Sequence, residues 1–209
     1  MVNGGLGIHR IYVDETGFNL HVSRTRRWAE VGSRAARVVC GQRGSNMTVI
    51  MAISDQVGVV YHEVVWGGVT AEVYNAFLTS LGVVLGDEEA VIIMDNAPAH
   101  RGAEMPDADR HQVRMLPPHS PFLNPIENVF SVYKADIKQR LGQVQHRLDD
   151  RAAALAAGHR GLVTWRCGIL EYLANQAVAA VTQDKVHASY RHANTFLGAC
   201  LASNDIFCD

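Results

Sequence analysis

Cysteine is scarce and poorly spaced for cross-linking. The 209-residue chain has four, Cys40, Cys167, Cys200 and Cys208, with no C-x-x-C pair and no zinc-ligand spacing. They read as structural thiols of a reducing compartment rather than as disulfides or metal ligands. Basic charge is not in excess either: 19 Lys plus Arg face 21 Asp plus Glu, for a formal charge of −2. A free-standing nucleic-acid binder usually carries a basic surplus, so any polyanion site must be a local patch. No uncharged apolar run reaches the ~18 residues a membrane helix needs, and "MVNGGLGIHR" lacks the apolar core of a signal peptide. The expectation is a soluble intracellular protein with no membrane partner, nuclear if the source is eukaryotic and cytoplasmic if bacterial. Proline is missing from most of the chain. All six, at 98, 106, 117, 118, 121 and 125, fall in one interval.

What is present is apolar content, 48% of the residues, enough for one sizeable core with an attached helical part. "RIYVDETGF" alternates into a strand that is expected to stop at Asp14-Glu15-Thr16-Gly17. "NMTVIMAISD" and "GVVYHEVVW" follow as β-rich runs, with "DQVG" as the tight connection between them. These three form an antiparallel meander. "TAEVYNAFLTSLGVVL" then changes period, placing Tyr74, Phe77, Leu78, Leu81 and Leu85 on one helical face with Thr70 as N-cap. The next run, "AVIIMDNAP", is apolar on both faces and suits an interior strand covered by helices. The proline-rich interval, broken by the short apolar "VRML", is a stiff connector. Beyond it "NPIENVFSVYKADIKQRL", "RLDDRAAALAAGHR" and "LVTWRCGILEYLANQAVAAV" read as helices. The chain is α/β first and all-α last, with no repeat or low-complexity tract.

Three acids sit at element ends, and each has a plain alternative. Asp14 closes the first strand or merely opens the turn "DETG". Asp95 closes the strand after the helix or caps the loop that follows. Glu127 lies in the first turn of the post-proline helix, where Asn124-Pro125-Ile126-Glu127 also has the form of a capping box. If the first and fourth strands are neighbours, their acidic ends meet, and a helix on the same sheet supplies the third carboxylate. Converging carboxylates repel unless cations neutralise them. Hard oxygen ligands suit Mg²⁺ or Mn²⁺, and two such ions support in-line phosphoryl transfer.

"YVDETGF", "RRWAEVGSR", "IIMDNAPAHR" and "LPPHSPFLNPIENVFSVYK", in that order, resemble the catalytic domain of mariner-like DDE transposases. The resemblance runs from about residue 10 to about residue 140, and "ASYRHANTFLGACL" is similar to the C-terminal end of some members. Its last two motifs are specific, whereas "DETGF" alone is not. The resemblance implies a ribonuclease H-like mixed five-stranded sheet flanked by helices, over residues 1–145. A helical C-terminal extension, residues 146–209, is expected to pack on it. It also implies that Asp14, Asp95 and Glu127 are the catalytic metal ligands for two Mg²⁺ or Mn²⁺ ions. The implied activity is DNA strand cleavage and 3′-hydroxyl strand transfer at transposon ends. Thirty-one residues separate Asp95 from Glu127, a few fewer than in the most familiar members, which shortens the active-site loop.

Neighbouring residues fit supporting roles. Asn96 and His100 follow Asp95, and His100 touches a phosphate, holds the carboxylate or is a structural loop histidine. Asn124 caps the helix, and Asn128 sits near the scissile strand. Lys134 and Lys138 recur at helical spacing from Glu127, as phosphate contacts or as a solvated face. Arg24, Arg26 and Arg27 beside Trp28 suit a backbone-gripping patch with a base-stacking ring, or a core Trp with surface arginines. Only 13 residues precede Asp14 and no helix-turn-helix pattern is visible. The chain is therefore expected to be a catalytic-domain fragment, a second reading frame or a remnant. Its partners are DNA, at transposon ends and target, with a second copy or a helix-turn-helix-bearing chain. The competing functions are an inactive or domesticated remnant that binds DNA or protein, and a general ribonuclease H-like nuclease.

Overall fold

Every residue of Met47–Ser54 is buried, so the strand must be covered on both faces. A computed structural model shows how; it describes residues 9–18, 31–32 and 46–202. Arg24, Arg26, Arg27 and Trp28 lie outside the described residues. The sheet comprises β1 (His9–Phe18), β2 (Met47–Ser54), β3 (Gly58–Trp66), β4 (Ala90–Met94) and β5 (His111–Met115), in the order β3-β2-β1-β4-β5. β1, β2 and β3 pair antiparallel, while β4 and β5 run parallel to β1. The mixed five-stranded sheet expected from the sequence is present, and "VRML" is its edge strand β5. The "DQVG" turn ends at Gly58, whose φ of 89° suits glycine.

Side-chain alternation along the strands divides the core in two. Ile11, Val13, Ile50, Ala52, Ile92 and Met94 point to the side covered by α1 (Ala71–Leu85). α1 buries Tyr74, Phe77, Leu78, Leu81 and Leu85, and Thr70 caps it by accepting from the Val73 N–H. Burying one such large side chain contributes about 1.5–3 kcal/mol. Phe18, Met47, Val49, Met51 and Ile53 point the other way, onto α2 (Pro125–Gln143), α4 (Leu162–Ala177) and α5 (Gln183–Thr195). Tyr133 of α2 donates to the Ala174 carbonyl of α4, at 2.9 Å. Tyr190 of α5 contacts the carbonyls of Arg10 and Ile53, at 3.2 and 3.1 Å. The C-terminal helices thus share one core with α2.

Two expectations need correction. β1 does not stop at Asp14: Asp14, Glu15, Thr16, Gly17 and Phe18 remain paired with β2. The apolar Phe18 earns its place in the second core, so the strand pays to continue, and Asp14 opens no turn. The Ala-rich segment yields only the short α3 (Arg151–Ala156), followed by a turn at Gly158 with φ 83°. After α5 the chain forms a last short helix, α6 (Leu197–Leu201). Among the described residues Cys167 and Cys200 are free thiols, and Cys40 and Cys208 lie outside them. Among the described residues no helix is long and apolar enough to cross a membrane.

Candidate active site

The pairing of β1 with β4 ends at Tyr12 opposite Ile93. Continuing that register by two residues brings Asp14 beside Asp95, on strands whose usual spacing is about 4.8 Å. Asp14 shares the parity of Tyr12 and points to the α2 side, while Asp95 follows the last residue of β4, with its carboxylate between His100 and the cavity at the strand end. The α1 side of β4 is closed by Ile92 and Met94, whereas Val91 and Ile93 are only half-buried. The opening on that second side is a cavity of about 470 Å³, lined by Asp14, Asp95 and Glu127 together with Asn96, Arg101 and Asn124. The Leu116–Pro121 segment closes one edge of it.

Asn124 joins the helix to the strand. Its Oδ1 accepts from the Ile126 N–H at 3.4 Å, capping α2, and its Nδ2 donates to Asp14 Oδ2 at 2.8 Å. The second Asp14 oxygen, Oδ1, accepts from the Glu15 N–H at 2.8 Å. Glu127 is at the third helical position, but the reciprocal bond of a capping box is absent because the Asn124 N–H goes to the Pro121 carbonyl, at 2.9 Å. Its exposed carboxylate makes no hydrogen bond or ion pair among the described residues. The capping-box alternative for Glu127 therefore fails, and the helix is capped without it.

Asp95 is held from behind. Its Oδ1 accepts from the Ala97 N–H at 3.1 Å and lies 2.6 Å from His100 Nδ1. His100 is fully buried in a single 3-10 turn, Pro98–His100, and its Nε2 lies 2.8 Å from Glu15 Oε2. Of the roles open to this histidine, holding the carboxylate is the one the contacts show. The Tyr74 ring stacks on it with centroids 4.2 Å apart.

These contacts set the charges. Burial pushes the Asp14 carboxyl up to about 7; the Glu15 N–H works against this, and the charges of Glu15, Asp95 and Glu127 add to it. Burial alone would lower His100, but the Glu15 hydrogen bond and charge, then Asp95, outweigh it and bring the imidazole up to about 9. Tyr74 is pushed well above its ordinary value, first by burial and then by Glu15, Asp14 and Asp95.

The three carboxylates at the cavity are hard oxygen donors, which suit Mg²⁺ or Mn²⁺. Asp14, raised first by burial and then by its acidic neighbours, is the type of group a divalent cation would return to its charged form. Among the described residues no three acidic, His or Cys side chains converge closely enough to hold an ion as they stand. The three carboxylates share one cavity, with Asp14 buried, Asp95 half-buried and Glu127 exposed, and they need side-chain turns to meet.

Asn96 lines the cavity, whereas Asn128 is exposed and is not part of its wall. Lys134 is half-buried with Nζ 5.8 Å from the Phe18 ring centroid, and Lys138 is exposed one turn further along. Glu15, Tyr74, Arg101 and His119 were not anticipated. Glu15 was legible in principle: once "DETGF" is one strand, the residue after Asp14 must face the other side. His119 lies on the cavity wall with φ 59°, uncommon for a residue other than glycine.

A family model described as DDE superfamily endonuclease matches residues 9–149. The chain belongs to that family. No curated protein matches it by sequence comparison. Among solved structures, the mariner Mos1 paired-end complex with Mn is similar at a TM-score of 0.59 and 18% identity, over 96% of this chain and 56% of that one. A pre-cleavage Mos1 transpososome matches at 0.59 and 17%, over 96% and 57%. The Mos1 strand transfer complex matches at 0.57 and 18%, over 96% and 56%. The DDE chain described here thus spans little more than half the length of the solved chains it matches. Its fold is the ribonuclease H-like one, and the resemblance read from the motifs stands at the level of family and fold.

Proposed function

We propose that this DDE-family chain is the catalytic domain of a mariner-like transposase, with Asp14, Asp95 and Glu127 holding two Mg²⁺ or Mn²⁺ ions. One observation supports the reading most: Asp14 on β1, Asp95 just past the end of β4 and the otherwise unengaged Glu127 on α2 line the same cavity. When bound, such ions supply positive charge at the attacking and leaving oxygens of an in-line displacement. In cleavage, water attacks the phosphorus and the 3′ oxygen leaves; in joining, the freed 3′-hydroxyl attacks a target phosphorus and a target oxygen leaves. Asn124 keeps Asp14 oriented, and His100 keeps Asp95 oriented. Asn96 and Arg101 line the cavity where a scissile phosphate would enter. Lys134, Lys138, Asn128 and the cluster Arg24, Arg26, Arg27 and Trp28 are assigned to DNA flanking it. The helices after residue 145 belong to this proposal as an extension that completes the covering of the sheet. DNA is the substrate, at transposon ends and target, and a second copy or a helix-turn-helix partner reads the ends.

One observation favours a second reading, a remnant that binds DNA or protein without cutting: the acids do not converge as they stand. Nicking of a duplex carrying the element's terminal repeats separates the two. The proposal expects cleavage with Mg²⁺ and none with chelator. It also expects no cleavage by Asp95→Asn, whose fold is kept because Asn retains the turn hydrogen bond. If Asp95→Asn cuts as the parent does, catalysis does not run through this site. No cutting by the parent with either ion favours the remnant. Cutting of an RNA–DNA hybrid without strand transfer favours a general nuclease.

A further inference from the structure

Glu15 follows Asp14 on β1 and so projects to the opposite face of the sheet, into the α1 side of the core. There it meets His100, whose two ring nitrogens both lie on carboxylates: Nε2 is 2.8 Å from Glu15 Oε2, and Nδ1 is 2.6 Å from Asp95 Oδ1. Nδ1 also lies 3.2 Å from the Asp95 carbonyl oxygen. We propose that Glu15, His100 and Tyr74 form a buried positioning device that sets the Asp95 carboxylate for cation binding from the far side of the sheet. The inference rests on the reading of Asp95 as a metal ligand.

The argument is one of hydrogen-bond inventory. A ring with an acceptor oxygen at each nitrogen, the Glu15 carboxylate at Nε2 and the Asp95 carbonyl at Nδ1, donates to both. Glu15 therefore fixes which way the ring faces and keeps the donor on Nδ1 aimed at Asp95. Ring rotation is blocked by burial and by Tyr74, whose ring lies 4.2 Å away and inclined by 30°. Among the described residues the one hydrogen bond the Asp95 carboxylate accepts falls on Oδ1, from the Ala97 N–H, and the His100 ring forms its ion pair with the same oxygen. Oδ2 is the oxygen left for a cation. Tyr74 contributes its ring and not its hydroxyl, which is buried with no hydrogen-bond partner among the described residues. Partners of this kind, one step removed from a ligand, are typically worth about 10–100-fold in metal affinity.

The test is Mn²⁺ binding to the full chain by calorimetry at one fixed pH, with melting temperature measured on the same samples without ions. Glu15→Gln keeps the shape of the side chain but not its charge. It is expected to weaken Mn²⁺ binding about tenfold or more, with melting within a few degrees of the parent. His100→Asn is expected to weaken binding at least as much. Parent-like affinity in Glu15→Gln overturns the proposal, even if His100→Asn fails to fold. A collapse of the Glu15→Gln melting temperature also overturns it, because the dyad would then serve the fold as a whole. Failure of the underlying reading looks different: Asp95→Asn would itself bind Mn²⁺ like the parent.

Discussion

Asp14 and Glu15 are consecutive residues of one strand, yet the two sheet faces treat their charges in opposite ways. On the α1 face Glu15 meets the buried imidazole of His100, and the pair neutralises itself within the protein. On the α2 face Asp14 has an amide, a backbone N–H and two further acids around it, and burial raises it to about 7. The protein answers one acid with a cation of its own. It leaves the other beside an open cavity, where the missing charge must come from outside. The comparison teaches that, of these two neighbours, the acid without a protein cation is the one that lines the cavity.

The largest expected effect comes from removing the unanswered charge. Asp14→Asn should lower metal-dependent cleavage by orders of magnitude, yet melt higher than the parent at pH 8 without divalent ions. The sign follows from linkage. The folded pKa of about 7 lies above the unfolded value near 4, so between those values the folded chain holds a proton the unfolded chain has lost. Stability therefore falls as pH rises through this window, by up to about 4 kcal/mol. Asn does not titrate, so the difference between variant and parent should vanish near pH 4 and shrink when Mg²⁺ is added. A variant that melts lower than the parent at pH 8 would show that Asp14 is already neutralised. Asn124→Ala should come next. It loses a helix cap worth about 1 kcal/mol and the donor that orients Asp14, so melting and cleavage should both fall, cleavage less than in Asp14→Asn. The smallest effect is Thr70→Ala, at the cap of the helix behind the site. About 0.5–1 kcal/mol of stability should be lost, with cleavage unchanged. A large loss of cleavage there would mean that α1 does more than cover the sheet.

The sequence made much of this legible, for reasons that can be named. Alternation and the change of period give β2, β3 and α1 nearly residue for residue, because each has one hydrophobic pattern and one capping or turn signal. "LPPHSPFLNPIE" and "IIMDNAP" single out Glu127 and Asp95 because a proline-rich connector and a strand end hold these side chains at one cavity. What was missed lies where two patterns overlap. "DETG" has turn chemistry, but Phe18 has a core to reach, and tertiary burial overrides the local signal. With the strand cut short, Glu15 had no face and His100 no partner. Arg101 and His119 carry no periodicity, since loop residues are placed by the elements they connect.

Glu127 tests the central claim most directly, because it is the one acid in the cavity with no structural task among the described residues. The measurement is nicking of a duplex with the terminal repeats by Glu127→Gln, with melting temperature recorded on the same sample with and without Mg²⁺. Since no capping bond is lost, melting without Mg²⁺ should match or exceed that of the parent. Added Mg²⁺ should stabilise the variant less than the parent, and cleavage should fall by orders of magnitude. A Glu127→Gln chain that melts lower and cuts normally would contradict the three-carboxylate site and leave only Asp14 and Asp95.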